Sequence, residues 1–431
     1  MKLVRVSDSK RYLVDSDGKP FFYLGDTAWE LFHKLSREEA DMYLQNRASY
    51  GFNVIQAVLL SELDGLDSPN FYGQRPLQKN GYGEYDPCLP DVMENQYDYW
   101  DHVDYIVGRA EEMGLYIGML PTWGDKYNRS WGTGPVVFTP QNAYTYGEWL
   151  GRRYAKYNNI IWILGGDRPL ETAFHYEVID QMAAGLGAGD QHKFLKTFHP
   201  CGGESSSRFV HEKEWLDFNM MQSGHGERNV ESYKMVFHDR ELVPVKPVLD
   251  GEPCYEDHPI GFRPEQGFFD QFDVRNRLYW NAFSGACGNV YGHHSIWSMN
   301  RRNEDRPSDY IIMPWTTALD RPGANDIKVF SGLQKNYPVL KCAPCPNIVV
   351  GNARGANFIS GCACGQYALF YIPYGLRFRL HMDWLPQCSG AHYFDVRSGR
   401  HLPEFMPSPD GEFTPPSVGR NNDWVLIISF E

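Results

Sequence analysis

"NNIIWILGGDRP" occupies residues 158–169. Its apolar centre, Ile160-Ile161-Trp162-Ile163-Leu164, is too short for a helix and rich in β-branched and aromatic side chains. That composition fits a strand buried on both faces, as in a parallel sheet covered by helices. Gly165-Gly166 allow a tight exit, and Pro169 suits the opening of a helix. The charged pair Asp167-Arg168 therefore sits where a strand meets a loop.

Similar segments recur along the chain. Phe21 to Leu24 leads to Gly25-Asp26-Thr27, "FNVIQAVLL" (52–60) leads to Ser61 and Glu62, and "YIGMLPTWG" (116–124) follows Gly114. "KFLKTFHP" (193–200), "DFNMMQSGH" (217–225), "PVLDGEPCYE" (247–256) and "NVYGHHSIWS" (289–298) bring the strand candidates to eight. Helical patterns lie between them. Residues 36–51 carry a capping box, Ser36 with Glu39, and close on Gly51. Residues 96–114 close on Gly114, while 139–157, 264–288 and 321–337 each have Pro near the first turn. Strand alternating with helix in this way predicts a (β/α)8 barrel, its active site at the carboxyl ends of the strands. Long loops at 61–95 and 298–320 leave from that same end, after strands two and eight.

From about residue 341 the pattern changes to short alternating runs separated by turn residues, which predicts a small all-β sandwich. The expected organisation is thus a barrel domain over 1–340, with a short N-terminal hairpin turning at Asp17-Gly18, and a sandwich over 341–431.

The chain has 431 residues and a net charge of −13, which argues against nucleic acid or an anionic membrane as its partner. Aromatic residues make up 15%, and many fall in Gly-, Pro- and Asp-rich stretches, where rings suit flat ligands or sugar faces. No apolar run is long enough to span a membrane, and the first twenty residues lack the apolar stretch of a signal peptide. Nine scattered cysteines do not form a disulfide framework. The expectation is a cytoplasmic protein, or one exported with its signal removed.

Asp167 ends strand four and Glu252 ends strand seven. Alone, Asp167 can simply pair with Arg168, and Glu252 can cap the turn at Pro253. Together, across the mouth of a barrel, they form the carboxylate pair that double-displacement glycoside hydrolysis needs, about 5–5.5 Å apart. Glu252 must stay ionised, with His199, Gln222 and Tyr255 as nearby donors. Asp167 must hold a proton, so Arg168 is expected to turn away from it.

The strand-four acid and strand-seven nucleophile look like clan A of the glycoside hydrolases. More narrowly, "YLGDTAW" (23–29), "GFNVIQAVLL" (51–60), "WILGGDRP" (162–169), "DGEPCYE" (250–256) and "DWVLIISF" (423–430) resemble the apiosidase-like family. The resemblance implies a barrel with a C-terminal β-sandwich often labelled a collagen-binding domain. It also implies a retaining β-apiosidase acting on side chains of rhamnogalacturonan-II, hence a plant cell-wall saccharide as partner. By carry-over Asp167 is the acid/base and Glu252 the nucleophile. Gly166-Asp167 stands where typical clan A enzymes carry Asn-Glu, so activities on pyranose sugars do not transfer directly.

Asp26, Trp29, Gln56, Trp123, His199, Gln222, Tyr255, His293 and Trp297 fall at or near strand ends and are candidate sugar contacts. Asp26 is equally an ordinary turn residue, Gln56 can lie in a barrel layer, and the tryptophans can serve packing. His199, His225 and His293-His294 do not make a barrel metallohydrolase, because strand one ends in Gly25-Asp26-Thr27 rather than His-x-His. Cys342, Cys345, Cys362 and Cys364 approach a zinc ribbon but have C-x-C in the second half, so burial is the simpler account. No metal and no cofactor is assigned. Two other functions fit the same residues: a clan A enzyme of endoglucanase-like or arabinofuranosidase-like specificity, and a carbohydrate-binding barrel without turnover.

Overall fold

A computed structural model describes residues 1–63, 65–302 and 309–431. Eight parallel strands carry the first domain: β1 (Tyr23–Thr27), β2 (Val54–Val58), β3 (Tyr116–Leu120), β4 (Ile160–Gly165), β5 (Lys196–His199), β6 (Asn219–Met221), β7 (Val248–Asp250) and β8 (Gly288–Tyr291). Their hydrogen-bonded order is β5-β4-β3-β2-β1-β8-β7-β6. Between β5 and β6 the ladder gives way to three bonds: Asp217 N–H donates to Lys196 O (2.9 Å), Lys196 N–H to Asp217 Oδ2 (2.7 Å) and the Thr197 hydroxyl to Phe218 O (2.7 Å). The barrel is closed but for that seam.

Burial on both faces explains the apolar runs. Along β4, Ile161 and Ile163 point into the barrel with Val54, Val58, Leu120, Met220 and Leu249. Ile160, Trp162 and Leu164 alternate outward against the helices. The outer layer contains α1 (Arg37–Tyr50), α2 (Tyr99–Glu112), α3 (Pro140–Tyr154), α4 (Ala173–Asp190), α5 (Ser232–Glu241), α6 (Gln271–Phe283) and α7 (Pro322–Asn336). The capping box of Ser36 and Glu39 starts α1, and Gly51 ends it in a left-handed conformation.

Three expected boundaries move. Pro169 does not open a helix, because Thr172 caps α4 through His175 N–H. Pro264 opens only a single tight turn (Pro264–Gln266), and α6 begins at Gln271, where Asp270 and Asp273 form the capping box. At the N-terminus three short strands pair, Val4–Val6, Leu13–Asp15 and Pro20–Phe21. The Asp17-Gly18 turn joins the second to the third, while the first reversal is at Ser7–Tyr12. Val4 and Leu13 seal the barrel floor against Tyr23 and Tyr116. In the long loop after β2, Leu77–Lys79 pairs with Tyr85–Pro90; of the loop expected over 298–320, residues 303–308 lie outside the described residues.

The second domain is an antiparallel sheet built on β9 (Ser360–Ala363), β10 (Tyr367–Ile372), β11 (Cys388–Asp395) and β12 (Trp424–Phe430). Leu369, Tyr371, Val425 and Ile427 pack on the barrel against Leu278, Tyr279 and Phe330 of α6 and α7. Ala368, Phe370, Leu426 and Ile428 face the other way, towards Phe378 and Phe413 of a two-stranded layer. The cysteines divide likewise: Cys342, Cys362 and Cys364 sit with the barrel-facing cluster and Cys345 with the other. Among the described residues no three potential ligands converge as a metal site, and no helix is long and apolar enough to cross a membrane.

One ion-pair cluster clamps the domains. Arg275 of α6 donates to both Asp423 oxygens (2.7 Å each), to Asp326 of α7 (2.8 Å) and to Asn421 (2.7 Å), and its side chain has no solvent exposure. Removing one partner of a buried pair leaves a charge that water cannot reach. Asp423→Ala should therefore cost about 3 kcal/mol of stability in denaturant titrations.

Candidate active site

The exit from β4 is set by two glycines. Gly165 (φ 93°) and Gly166 (φ 111°) both adopt left-handed backbone. A Cβ on Gly165 would stand 2.5 Å from His199 O, and one on Gly166 2.7 Å from Gly124 N. The next residue, Asp167, also turns left-handed (φ 57°), a conformation that costs a non-glycine residue about 1 kcal/mol. That turn aims the Asp167 N–H at Nδ1 of His199, 3.3 Å away at the end of β5.

The same imidazole reaches the other carboxylate. His199 Nε2 stands 3.0 Å from Glu252 Oε2, and His225 Nε2 lies 3.0 Å from Oε1. Nδ1 of His225 accepts the Tyr255 N–H at 3.3 Å. With both Nδ1 atoms accepting, each ring carries its proton on Nε2; that of His225 donates to Glu252 Oε1, whereas His199 Nε2 stands against Oε2 as a close polar contact without hydrogen-bond geometry. Burial alone would raise the Glu252 pKa, but His199 and His225 outweigh it and hold the carboxyl well below its usual range. Asp167 moves the other way. Burial, and then the negative charge of Glu252, push its pKa up against Arg168, His199 and the Trp131 N–H.

Arg168 does not turn away. Its Nη1 lies 3.0 Å from Asp167 Oδ2 and 2.8 Å from Asp167 O, while Nε donates to Trp131 O at 2.8 Å. The guanidinium lies over the Trp131 ring at 4.4 Å. Two backbone carbonyls and a stacked indole fix the side chain, so the expected rotation is overturned. The contact opposes protonation of Asp167 without reversing the direction that burial and Glu252 impose.

Both carboxylates open into a cavity of about 770 Å³ at the carboxyl ends of the strands. Of the residues expected there, Trp29, Trp123, Gln222, Tyr255 and Trp297 line it. His199 is fully buried beneath Glu252 and acts through it. Three expected sugar contacts are corrected. Asp26 faces the helix layer, where Tyr43 (2.5 Å) and Arg47 (2.6 Å) of α1 bind it without solvent exposure. Gln56 lies inside the barrel, accepting from Tyr23 and donating to Gly251 O (2.9 Å). His293 is buried against Asp257 at 3.0 Å.

The cavity also takes residues not foreseen as sugar contacts. Trp131, in the Gly-rich loop after β3, donates Nε1–H to Asp167 Oδ2 at 3.1 Å. Glu62, at the end of the β2 run, is pushed up to about 8 by burial and by the nearby Asp167. His225, noted only as one of several histidines, holds the nucleophile candidate, and His258 and Phe262 arrive from the loop after β7. Trp131→Phe keeps the ring but deletes the donor that favours ionised Asp167. The Asp167 titration, followed by carboxyl-carbon NMR, should shift to higher pH, and an unmoved midpoint would remove Trp131 from the electrostatics of the site.

Comparison with known proteins bears on this geometry. A family model described as "Apiosidase-like, catalytic domain" matches residues 7–341, and one described as "Putative collagen-binding domain of a collagenase" matches 344–429. No curated protein matches the chain in sequence. A solved structure described as a glycoside hydrolase is 29% identical, with a TM-score of 0.86, covering 100% of this chain and 97% of the other. A glycoside hydrolase family 5 structure from Bacteroides vulgatus ATCC 8482 is 30% identical, with a TM-score of 0.89, covering 100% and 93%.

Proposed function

The chain belongs to the apiosidase-like family of glycoside hydrolases, and from that premise we propose that it is a retaining enzyme with Glu252 as nucleophile and Asp167 as acid/base. The observation that carries this reading is the pair of histidines on Glu252. They keep a buried carboxylate ionised while the neighbouring carboxyl is driven towards its protonated form. Opposed shifts of this kind separate an acid from a nucleophile.

In the first step Glu252 attacks the anomeric carbon as Asp167 gives its proton to the departing glycosidic oxygen, leaving a glycosyl ester on Glu252. Esterification removes the negative charge that had raised the Asp167 pKa. Arg168 and the Trp131 N–H then favour the carboxylate, which takes a proton from water as the water displaces Glu252. His199 positions both partners, since one ring accepts the Asp167 N–H and faces the Glu252 carboxylate.

The substrate proposed is a β-apiosyl residue on a rhamnogalacturonan-II side chain, supported by the family model over residues 7–341. The test is product release from that polysaccharide by the wild type, Glu252→Gln and Asp167→Asn, read by chromatography and mass spectrometry. The wild type should release an apiose-terminated product, and each variant should lose at least about a thousandfold in rate. Cleavage of another glycan alone would move the enzyme to a different clan A specificity. Variants that keep their activity would overturn the carboxylate pair.

Activity should also follow a bell in pH. It requires Glu252 ionised and Asp167 protonated, so kcat/KM rises through the lowered pKa of Glu252 and falls through the raised pKa of Asp167. His225→Phe removes one donor from Glu252, and the acid limb should move to higher pH.

A further inference from the structure

On the rim of the cavity a large apolar ring stands in water on strained backbone. Phe262 is 67% exposed and has φ 61°, a left-handed conformation that L side chains rarely adopt. The turn that carries it is firmly made. Phe262 N–H donates to Pro259 O (3.1 Å), Arg263 N–H to Ile260 O (3.1 Å), and Gly261 N–H to His225 O (2.8 Å). The last bond ties the turn to the residue that holds the nucleophile candidate. Ring contacts brace the phenyl edge-on, 4.9 Å from His258 (87°) and 6.0 Å from His225 (89°).

A fold gains nothing from this arrangement by itself. An exposed phenyl hides little apolar surface, and glycine would take the backbone angle without strain. Strain kept at a residue that lines a ligand cavity points to function. His225 lies 3.0 Å from Glu252, so the phenyl is one ring contact removed from the nucleophile candidate. His225 thus contacts both Glu252 and the phenyl, which sets Phe262 to one side of the reacting centre and suits the ring next to the one cleaved. Val230 and Met235 extend an apolar wall of the same cavity.

We infer that Phe262 is the stacking platform for the sugar ring adjacent to the one cleaved, which makes the enzyme selective for an oligosaccharide over a simple glycoside. The electron-rich face of the phenyl takes the apolar C–H face of that ring, and the turn presents it preformed. This specificity rests on the hydrolase proposed above.

Two substrates separate the platform from the chemistry. On a branched rhamnogalacturonan-II oligosaccharide, Phe262→Ala should lower kcat/KM about tenfold, mainly through KM. On β-apiosyl fluoride, which has no neighbouring sugar, its rate should stay within about twofold, and Phe262→Trp should restore the oligosaccharide rate. Equal losses on both substrates, or none on the oligosaccharide, overturn the platform. Phe262→Gly relieves the backbone and should bind the oligosaccharide as weakly as Phe262→Ala, with no fall in Tm. A fall in Tm together with unchanged binding would make the residue structural. Calorimetric titration of Glu252→Gln with the same oligosaccharide, with and without Phe262→Ala, reads the platform without turnover. Affinity that depends on Phe262 while the wild type cleaves nothing would overturn the hydrolase reading alone, and affinity indifferent to Phe262 would overturn the platform alone.

Discussion

A carboxylate buried at the mouth of a barrel stays ionised only if something replaces the water it has lost. For Glu252 that replacement is two imidazoles, His225 donating Nε2–H to Oε1 and His199 Nε2 standing against Oε2, each at 3.0 Å. Much of the local architecture follows from placing those rings. Each must accept a hydrogen bond at Nδ1 so that its proton remains at Nε2. His225 receives it from the backbone of Tyr255, and His199 receives it from the backbone of Asp167. The second bond exists only because Asp167 leaves β4 in a left-handed turn, which Gly165 and Gly166 prepare against His199 O and Gly124 N. The glycine pair and the chemistry are thus a single constraint. A side chain at either glycine would move Asp167 and unseat the tautomer that faces Glu252.

Legibility of the fold in the sequence had a physical basis. Barrel strands are buried on both sides, so each is a dense apolar run. β4 shows why that suffices: Ile161 and Ile163 fill the interior while Trp162 and Leu164 meet the helices. Strand ends were harder to read, because the end of a strand does not say which way a side chain points. Asp26 follows the outward parity of Leu24 and meets Arg47, whereas Gln56 lies in the middle of β2 and bonds across the interior to Gly251 O. Both are polar groups bonded inside the protein, Asp26 through Oδ2, a demand as strong as any ligand's. Asp423, read as part of a tail motif, likewise pairs with Arg275 between the domains.

The cavity wall was the least legible part. Trp131, Glu62, His258 and Phe262 come from loops whose path depends on tertiary contacts rather than on period or propensity. The turn carrying Phe262 is fixed by a bond to His225 from another loop, which no local pattern announces. Helix starts shifted for a related reason. Proline permits a first turn, but a side chain able to bond the free N–H groups decides where the helix begins, as Thr172 and Asp270 do here.

Arg168 was expected to avoid Asp167, since a cation beside an acid favours the wrong protonation state for the first step. The expectation weighed one interaction against nothing. In the structure the guanidinium is held by Trp131 O, Asp167 O and the Trp131 ring, and these leave it no other place. Its charge therefore acts on Asp167 throughout the proposed cycle, and its value changes with the state of Glu252. While Glu252 is a carboxylate, burial and that negative charge outweigh Arg168 and keep Asp167 raised. Once Glu252 is esterified, the opposing charge is gone and the guanidinium remains. The same contact that weakens the acid then strengthens the case for a carboxylate able to deprotonate water. A residue that alternates between the two roles needs a field that nearly balances, and a fixed cation beside a switchable anion supplies one.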